Sequence, residues 1–243
     1  VPQARQTALF SATMPNDVSR IAKKYLNNPV EVSLETRSTA ASTIVQKFLV
    51  VSPSNKAEAL VRVIEGEQTD GVIVFTRTKS DSVELAELLV QAGYRAAALN
   101  GDLAQAQREK TVEKFKNGKI DILSATDVAA RGLDVDRVSH VINYDAPRDP
   151  ESYVHRIGRC GRAGRKGWAV LFLSPRDRVT IKNVEKATGQ KISCMSLPKA
   201  QALNKARIER FAEKISQITK TEVFEEYQKI VSEIVEKNSD LNF

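Results

Sequence analysis

The chain predicts an α/β fold: a mainly parallel sheet covered by helices on both faces, followed by a C-terminal helical hairpin. Three observations carry this. Short apolar runs alternate with amphipathic helical stretches from about residue 44 to 188. Runs such as Val72-Ile73-Val74-Phe75 and Trp168-Ala169-Val170-Leu171-Phe172-Leu173 are continuously apolar, the pattern of strands buried on both sides. After Gly189 the strand-like runs give way to two helical stripes.

In chain order, residues 1 to 35 read as strand, helix, strand. Thr7-Ala8-Leu9-Phe10 is an apolar run. A helix opens at Met14-Pro15-Asn16, carries Val18, Ile21, Ala22 and Leu26, and stops at Asn27-Asn28-Pro29. Val30-Glu31-Val32-Ser33-Leu34 alternates like a half-buried strand, and the whole stretch is too short to bury a core alone. Residues 36–43, polar and small, read as a linker.

Within 44–188, Val45 to Val51 is a strand, and a helix with Ala57, Leu60, Val61 and Ile64 follows. Val72 to Phe75 leads into a helix with Val83, Leu85, Ala86, Leu88 and Leu89. Arg95 to Leu99 leads into one with Val112 and Phe115. Ile120 to Leu123, Val138 to Ile142 and Trp168 to Leu173 supply further strands. Ligands of such sheets sit at the carboxyl ends of the strands, which points to the loops after Phe75, Leu99, Leu123 and Ile142. Residues 189–243 form a helical extension. Ala206, Ile208, Phe211, Ala212, Ile215 and Ile218 share one face, and Val223 to Val235 make a second stripe. The pair either packs on the sheet or dimerises, or it packs on segments outside this chain.

The totals narrow the partner. The 243 residues are 42% hydrophobic and 28% charged, ordinary for a globular protein. Basic residues outnumber acidic by 37 to 30, a net charge of +7 that favours an anionic partner such as nucleic acid. The only cysteines, Cys160 and Cys194, suit a reducing cytosol, and with His140 and His155 they lack zinc-site spacing. No apolar run reaches membrane-spanning length. The chain begins at Val1, which reads as a piece cut from something longer.

One stretch stands out for chemistry. From Tyr153 to Gly167 an arginine recurs at every third position, Arg156, Arg159, Arg162 and Arg165, each followed two residues later by a glycine. Arginine forks match phosphate oxygens two at a time, and glycine permits tight turns and close approach. A disordered Arg/Gly tail or a solvated basic loop has similar composition, but the apolar run from Trp168 stitches this stretch into a core. It reads as a phosphate-binding loop.

Other loops on the same edge agree. After Leu123 come Thr126, Asp127, Arg131-Gly132 and Asp134. Asp127 could be a helix cap, and Asp134 could accept a ribose hydroxyl. After Leu99 come Asn100-Gly101-Asp102 and a helix opening with Gln105 and Arg108. After Phe75 stand Thr76, Arg77, Thr78 and Lys79. Each signal is weak alone, and four on one sheet edge are not.

With these residues in view, the sequence resembles the C-terminal half of a DEAD-box ATP-dependent RNA helicase. Ser11-Ala12-Thr13 resembles that family's coupling motif, Val74-Phe75 with Thr78 its fourth motif, and Gln105 with Arg108 its Gln-x-x-Arg element. Ala125 to Asp134 matches its fifth motif and His155 to Arg162 its sixth. The likeness runs from residue 1 to about 188. The C-terminal hairpin, about 197–243, is similar to the dimerisation segment of the bacterial cold-shock branch.

The resemblance implies a RecA-like domain at 44–188, with 1–35 the tail of a first RecA-like domain. It implies ATP phosphate contacts for Arg159 and for Arg162 as arginine finger, and a ribose contact for Asp134. It gives His155 a link to the other domain, and Ser11 and Thr13 interdomain coupling. It assigns RNA-backbone contacts to Thr78, Gln105, Arg108, Thr126 and Gly132, and packs Phe75 under the sixth-motif arginines. Cys160 stands where threonine is usual, and Asn100 where histidine often precedes Gly-Asp.

The chain contains no Gly-x-x-x-x-Gly-Lys-Ser/Thr loop and no Asp-Glu-Ala-Asp. Magnesium would therefore be held mainly by a first domain, and this chain alone should not hydrolyse ATP. An alternative of a different class is an RNA-binding or annealing module acting without ATP, which Asp134 and the arginine pair disfavour. A DNA helicase of the wider superfamily is a third reading, and the His155 to Arg162 run favours RNA over it.

Overall fold

A computed structural model describes residues 4–11, 14, 16–32, 43–67, 69–162, 164–198 and 200–218. The chain divides into two packing units, Val1–Arg37 and Ser38–Phe243. In the first, helix α1 (Asn16–Tyr25) carries Asp17 in its opening turn and Lys23 and Lys24 in its last, as the helix dipole favours. It ends before Asn28, whose φ is 42°, and Pro29. The two strands expected around it do not form in the described residues. Phe10, Val30 and Val32 stand 94%, 89% and 80% exposed. Strand backbone groups need a ladder partner, and neither stretch pairs with one among the described residues.

The second unit follows the expected alternation. Its strands are β1 (Ile44–Val50), β2 (Gly71–Phe75), β3 (Ala96–Leu99), β4 (Ile122–Ala125), β5 (Val138–Asn143), β6 (Gly167–Leu173) and β7 (Ser193–Cys194). Between them run α2 (Lys56–Gly66), α3 (Lys79–Gln91), α4 (Gln105–Lys116), the short α5 (Asp127–Ala130), α6 (Pro150–Ile157) and α7 (Arg178–Thr188), with α8 (Ala200–Ile218) last. The strand order is β3-β4-β2-β5-β6-β1-β7, every pairing parallel. This is the RecA-like sheet that the resemblance implied.

The strands' two-residue period builds a core on each face. Ile73 and Phe75 of β2 point into one, with Phe115, Leu123, Val141, Tyr153, Ile157 and Leu171. Val72 and Val74 point into the other, with Leu60, Val63, Leu85, Leu89, Ile142 and Phe172. Each fully buried leucine contributes roughly 1.5–3 kcal/mol from removal of apolar surface from water.

α7 stops at Gly189, whose φ of 67° is the left-handed helix cap. The helical extension expected from residue 189 starts later. Ile192 is buried, β7 adds a parallel strand beside β1, and the next described helix opens at Ala200. The first turns of α8 pack on α2: Leu203 is buried, and Arg207 donates to Glu65 through Nη2 at 2.8 and 2.9 Å and through Nε at 3.2 Å. Farther along, Ile208, Phe211 and Ile215 are 68%, 67% and 46% exposed. The second stripe, Val223 to Val235, lies outside the described residues, as do residues 36–42 of the linker.

His140 on β5 is 2% exposed, stacks on Trp168 with centroids 6.1 Å apart, and leaves Nε2 buried without a partner among the described residues. Burial lowers its pKa from 6.5 to about 4. Below pH 6.5 the unfolded chain therefore takes up a proton that the folded chain refuses until about pH 4, so folding stability falls across that window as pH drops. The expected loss between pH 7.5 and 5 is about 2 kcal/mol. Urea midpoints of the wild type and His140→Gln at both pH values check this. Equal pH dependence in the two proteins would rule His140 out as the cause.

Candidate functional site

Leu99, Ala125, Phe75 and Asn143 end four adjacent strands, β3, β4, β2 and β5, on one edge. β4 and β5 run past the expected Leu123 and Ile142, because Ser124, Ala125 and Asn143 are fully buried despite their weak apolar pattern. Backbone bonds stitch the loops that follow: Thr76 N–H donates to Ala125 O at 3.0 Å, Thr126 N–H to Leu99 O at 3.2 Å, and Asp145 N–H to Phe75 O at 3.1 Å. The loops that lead to Thr78 and Thr126 therefore hang from a braced rim.

The Arg/Gly stretch proves to be two structures. Tyr153 to Ile157 closes helix α6, and only beyond Gly158 does the chain turn. Arg156 is not a free phosphate fork. It is 3% exposed, grips Asp127 through Nε at 2.6 Å and Nη2 at 2.8 Å, and donates through Nη1 to Asn143 Oδ1 at 3.2 Å and to Asp145 O at 2.7 Å. Its guanidinium lies 5.0 Å from the Phe75 ring centroid, so Phe75 packs against this arginine of the four. Asp127, weighed as a helix cap, is the counter-ion.

The signal was available in the sequence. Tyr153, Arg156 and Ile157 sit at i, i+3 and i+4, which places Arg156 on the helix's buried face.

Arg159 and Arg162 follow α6 in the turn ahead of β6, where Gly161 packs against Thr43 and Ile44 at the start of β1. They sit toward the amino ends of these strands and not on the carboxyl edge where the sequence pattern puts them: a helix that leaves one strand's carboxyl end must return to the next strand's amino end. Arg159 Nη1 donates to Leu133 O at 2.8 Å. Burial first, then neighbouring Arg162, pull its pKa below the ordinary arginine value, with Asp134 opposing. Arg162 forms an ion pair with Asp134 and donates through Nε to Gly158 O at 3.1 Å. The structure thus brings Asp134, Arg159 and Arg162 together from two loops. Arg165 lies farther out, 3.8 Å from Asp70.

Two glycines make the turn compact. Gly161 has φ 69°, and a Cβ on Gly167 would sit 2.6 Å from the Gly161 nitrogen. Cys160 is 2% exposed and donates its thiol to Ile157 O at 3.2 Å, so it packs where the resemblance expects threonine.

The other candidates spread along the rim. Thr78 caps α3, its hydroxyl accepting from Asp81 N–H at 3.0 Å. Gln105, exposed in the first turn of α4, bonds Glu109 at 2.7 Å. Arg108 Nη2 donates to Ala129 O at 3.1 Å and Arg131 O at 3.2 Å. Thr126 is 9% exposed ahead of α5, and Gly132 has φ 74°.

His155 is exposed in the last turn of α6. Asn100 is buried and ties Ser82 Oγ, at 3.0 Å, to the end of β3. Ser11 is exposed in the first packing unit, and Thr13 lies outside the described residues. Two guanidinium forks with one carboxylate suit a polyphosphate joined to a sugar. No group of three or more His, Cys, Asp or Glu that could hold a metal occurs among the described residues.

Residues 55–164 match the helicase conserved C-terminal domain, and residues 198–241 match the RNA helicase DeaD dimerization domain. The ATP-dependent RNA helicase DeaD of Buchnera aphidicola subsp. Baizongia pistaciae is 47% identical over 242 residues, covering 100% of this chain and 40% of that protein. The protein of the same name from Escherichia coli K12 is 48% identical over 234 residues, 96% of this chain and 37% of that protein. The chain therefore spans about two fifths of the length of these relatives.

Among solved structures, S. cerevisiae Dbp5 bound to RNA and ADP BeF3 superposes with a TM-score of 0.73 at 29% identity, over 88% of this chain and 56% of that one. E. coli DEAD-box protein SrmB bound to regulator of ribonuclease activity A gives 0.60 at 35% identity, over 63% of this chain and 91% of that one.

Proposed function

Because the chain belongs to the DEAD-box RNA helicase family, as the C-terminal part of a DeaD-type member, we propose that it is the half that completes an ATP site and grips RNA when two RecA-like domains close. Residues 1–35 are then the tail of the first RecA-like domain, 36–43 the linker, and 44–188 the second domain. The observation that carries the reading is the Asp134, Arg159 and Arg162 cluster, gathered from the segment after β4 and the turn between α6 and β6. ATP, with magnesium held mainly by the first domain, supplies the phosphoryl group whose transfer to water drives the cycle.

Each residue's part follows from its chemistry. Asp134 accepts from ribose hydroxyls. Arg159 and Arg162 donate to phosphate oxygens, and Arg162 neutralises charge that grows in the transition state. Arg162 pairs with Asp134, so engaging phosphate and ribose means parting that pair. His155, exposed in the last turn of α6, makes the link to the first domain, with Ser11 and Thr13 as coupling residues. Thr78, Gln105, Arg108, Thr126 and Gly132 line the RNA side and hold sugar and phosphate rather than base edges. Closure on a bent strand then separates short duplexes locally. RNA-stimulated ATP hydrolysis by the full-length protein tests this, and a rate indifferent to RNA would leave the ATP-independent RNA-binding reading in its place.

A dimer through residues 197–243 is part of the same proposal. Exposed Ile208, Phe211 and Ile215, about one helical turn apart on α8, support it. Light scattering at tens of micromolar should give a dimer for this chain and a monomer for the Phe211→Glu, Ile215→Glu double variant, with both melting alike. A monomeric wild type would sink the dimer.

A further inference from the structure

Residues 131–134 are held from both sides by arginines. From one side Arg108, on the second turn of α4, donates through Nη2 to the carbonyls of Ala129 and Arg131 at 3.1 and 3.2 Å. From the other, Arg159 Nη1 binds Leu133 O at 2.8 Å, and Arg162 pairs with Asp134. Between the two grips lies Gly132, with φ 74° and no heavy atom within 4 Å of where a Cβ would stand. Leu133 next to it is buried in the core, so the segment is pinned by that side chain and by the arginines on its carbonyls, while the turn at Gly132 itself has no neighbour to hold it. Arg108 also keeps a buried Nε with no partner among the described residues. A guanidinium in that state gains from any small shift that supplies an acceptor.

We propose that Arg108 is a positioning residue that couples RNA occupancy to the nucleotide side through the carbonyl of Arg131. This rests on the function proposed above. An RNA phosphate on the outer edge of the guanidinium fixes its orientation. That orientation sets the Arg131–Gly132 turn, and the turn sets Leu133 O and Asp134, the partners of Arg159 and Arg162. Arg108 then acts on ATP hydrolysis without touching ATP.

Lysine separates this role from simple phosphate contact. It keeps the charge, but its Nζ ends one bond short of the Nη2 that binds both carbonyls, and it has no second nitrogen to turn to a phosphate. In the full-length protein, Arg108→Lys should lower kcat at saturating RNA by about tenfold or more while shifting half-saturation by RNA less than about threefold. The salt slope of RNA binding should stay near wild type, because the charge remains. Gln105→Ala, one turn away on the same helix and without those carbonyl bonds, should do the reverse: weaker RNA half-saturation with kcat retained.

If Arg108→Lys behaves like Gln105→Ala, Arg108 is a phosphate contact only and the coupling role is overturned. If the wild type shows no RNA stimulation, the functional reading fails first. Amide exchange reads the contact without activity. A rise confined to residues 131–134 in Arg108→Lys supports the role. No rise there, or one spread over the whole domain, overturns it.

Discussion

Arg162→Ala in the full-length protein should lose RNA-stimulated ATPase activity by about three orders of magnitude or more, while RNA binding persists. The size follows from the stage at which the guanidinium acts. A group that meets charge developing only in the transition state lowers the barrier without tightening the ground state, so its loss falls on kcat. The structure supplies the reason to expect an intact fold. The Arg162 side chain is 25% exposed, and its partner Asp134 has an 82% exposed side chain, so no buried charge is stranded by the change. A melting temperature near wild type together with a collapsed rate is the expected pair of results. Full activity would mean that the arginine-glycine turn binds something other than a reacting phosphate.

Arg156→Ala should act through stability, by about 3–5 kcal/mol, read as the shift in free energy of urea unfolding. Three observations set that scale. The side chain is 3% exposed, its fork fills both oxygens of Asp127, and it is the donor to Asn143 Oδ1 and Asp145 O. Removal would leave those acceptors without it and strip the Phe75 ring of a cation at 5.0 Å. Small domains are stable by about 5–15 kcal/mol, so such a loss is a large share of the total. Lysine should recover little, because an ammonium cannot form the paired bonds to Asp127. A change below about 1 kcal/mol would show that the network is not a stability element.

These two arginines differ by six positions in one regular repeat, and their contrast marks what sequence could convey. The third-position spacing is a true property of the chain, yet it cuts across a helix end. Before Gly158 the helical period decides which side chains are buried, and afterwards turn geometry does. Composition alone treats all four arginines as equals.

The sheet was easier to read. Strands such as β2 and β6 are apolar on both faces, and a continuous run needs no partner to be recognised. β7 was not legible, since Ser193-Cys194 becomes a strand only through its pairing with β1. The reverse error occurred at Thr7–Phe10 and Val30–Val32, where strand-like patterns stand without a ladder among the described residues. The ion pair of Asp134 with Arg162 also lay beyond sequence, being a contact between loops of separate strands.

Cys160 carries a consequence of a chemical kind. Burial pushes its thiol up to about 12, so at neutral pH only about one molecule in 10⁵ carries the thiolate at that position. Peroxides and disulfides react with the thiolate, and the sulfur is 2% exposed, so both reactivity and access are withheld. The turn that holds Arg159 and Arg162 is therefore deaf to oxidants, although a cysteine sits between them. Exposed Cys194, on β7, is the cysteine thiol that such reagents reach.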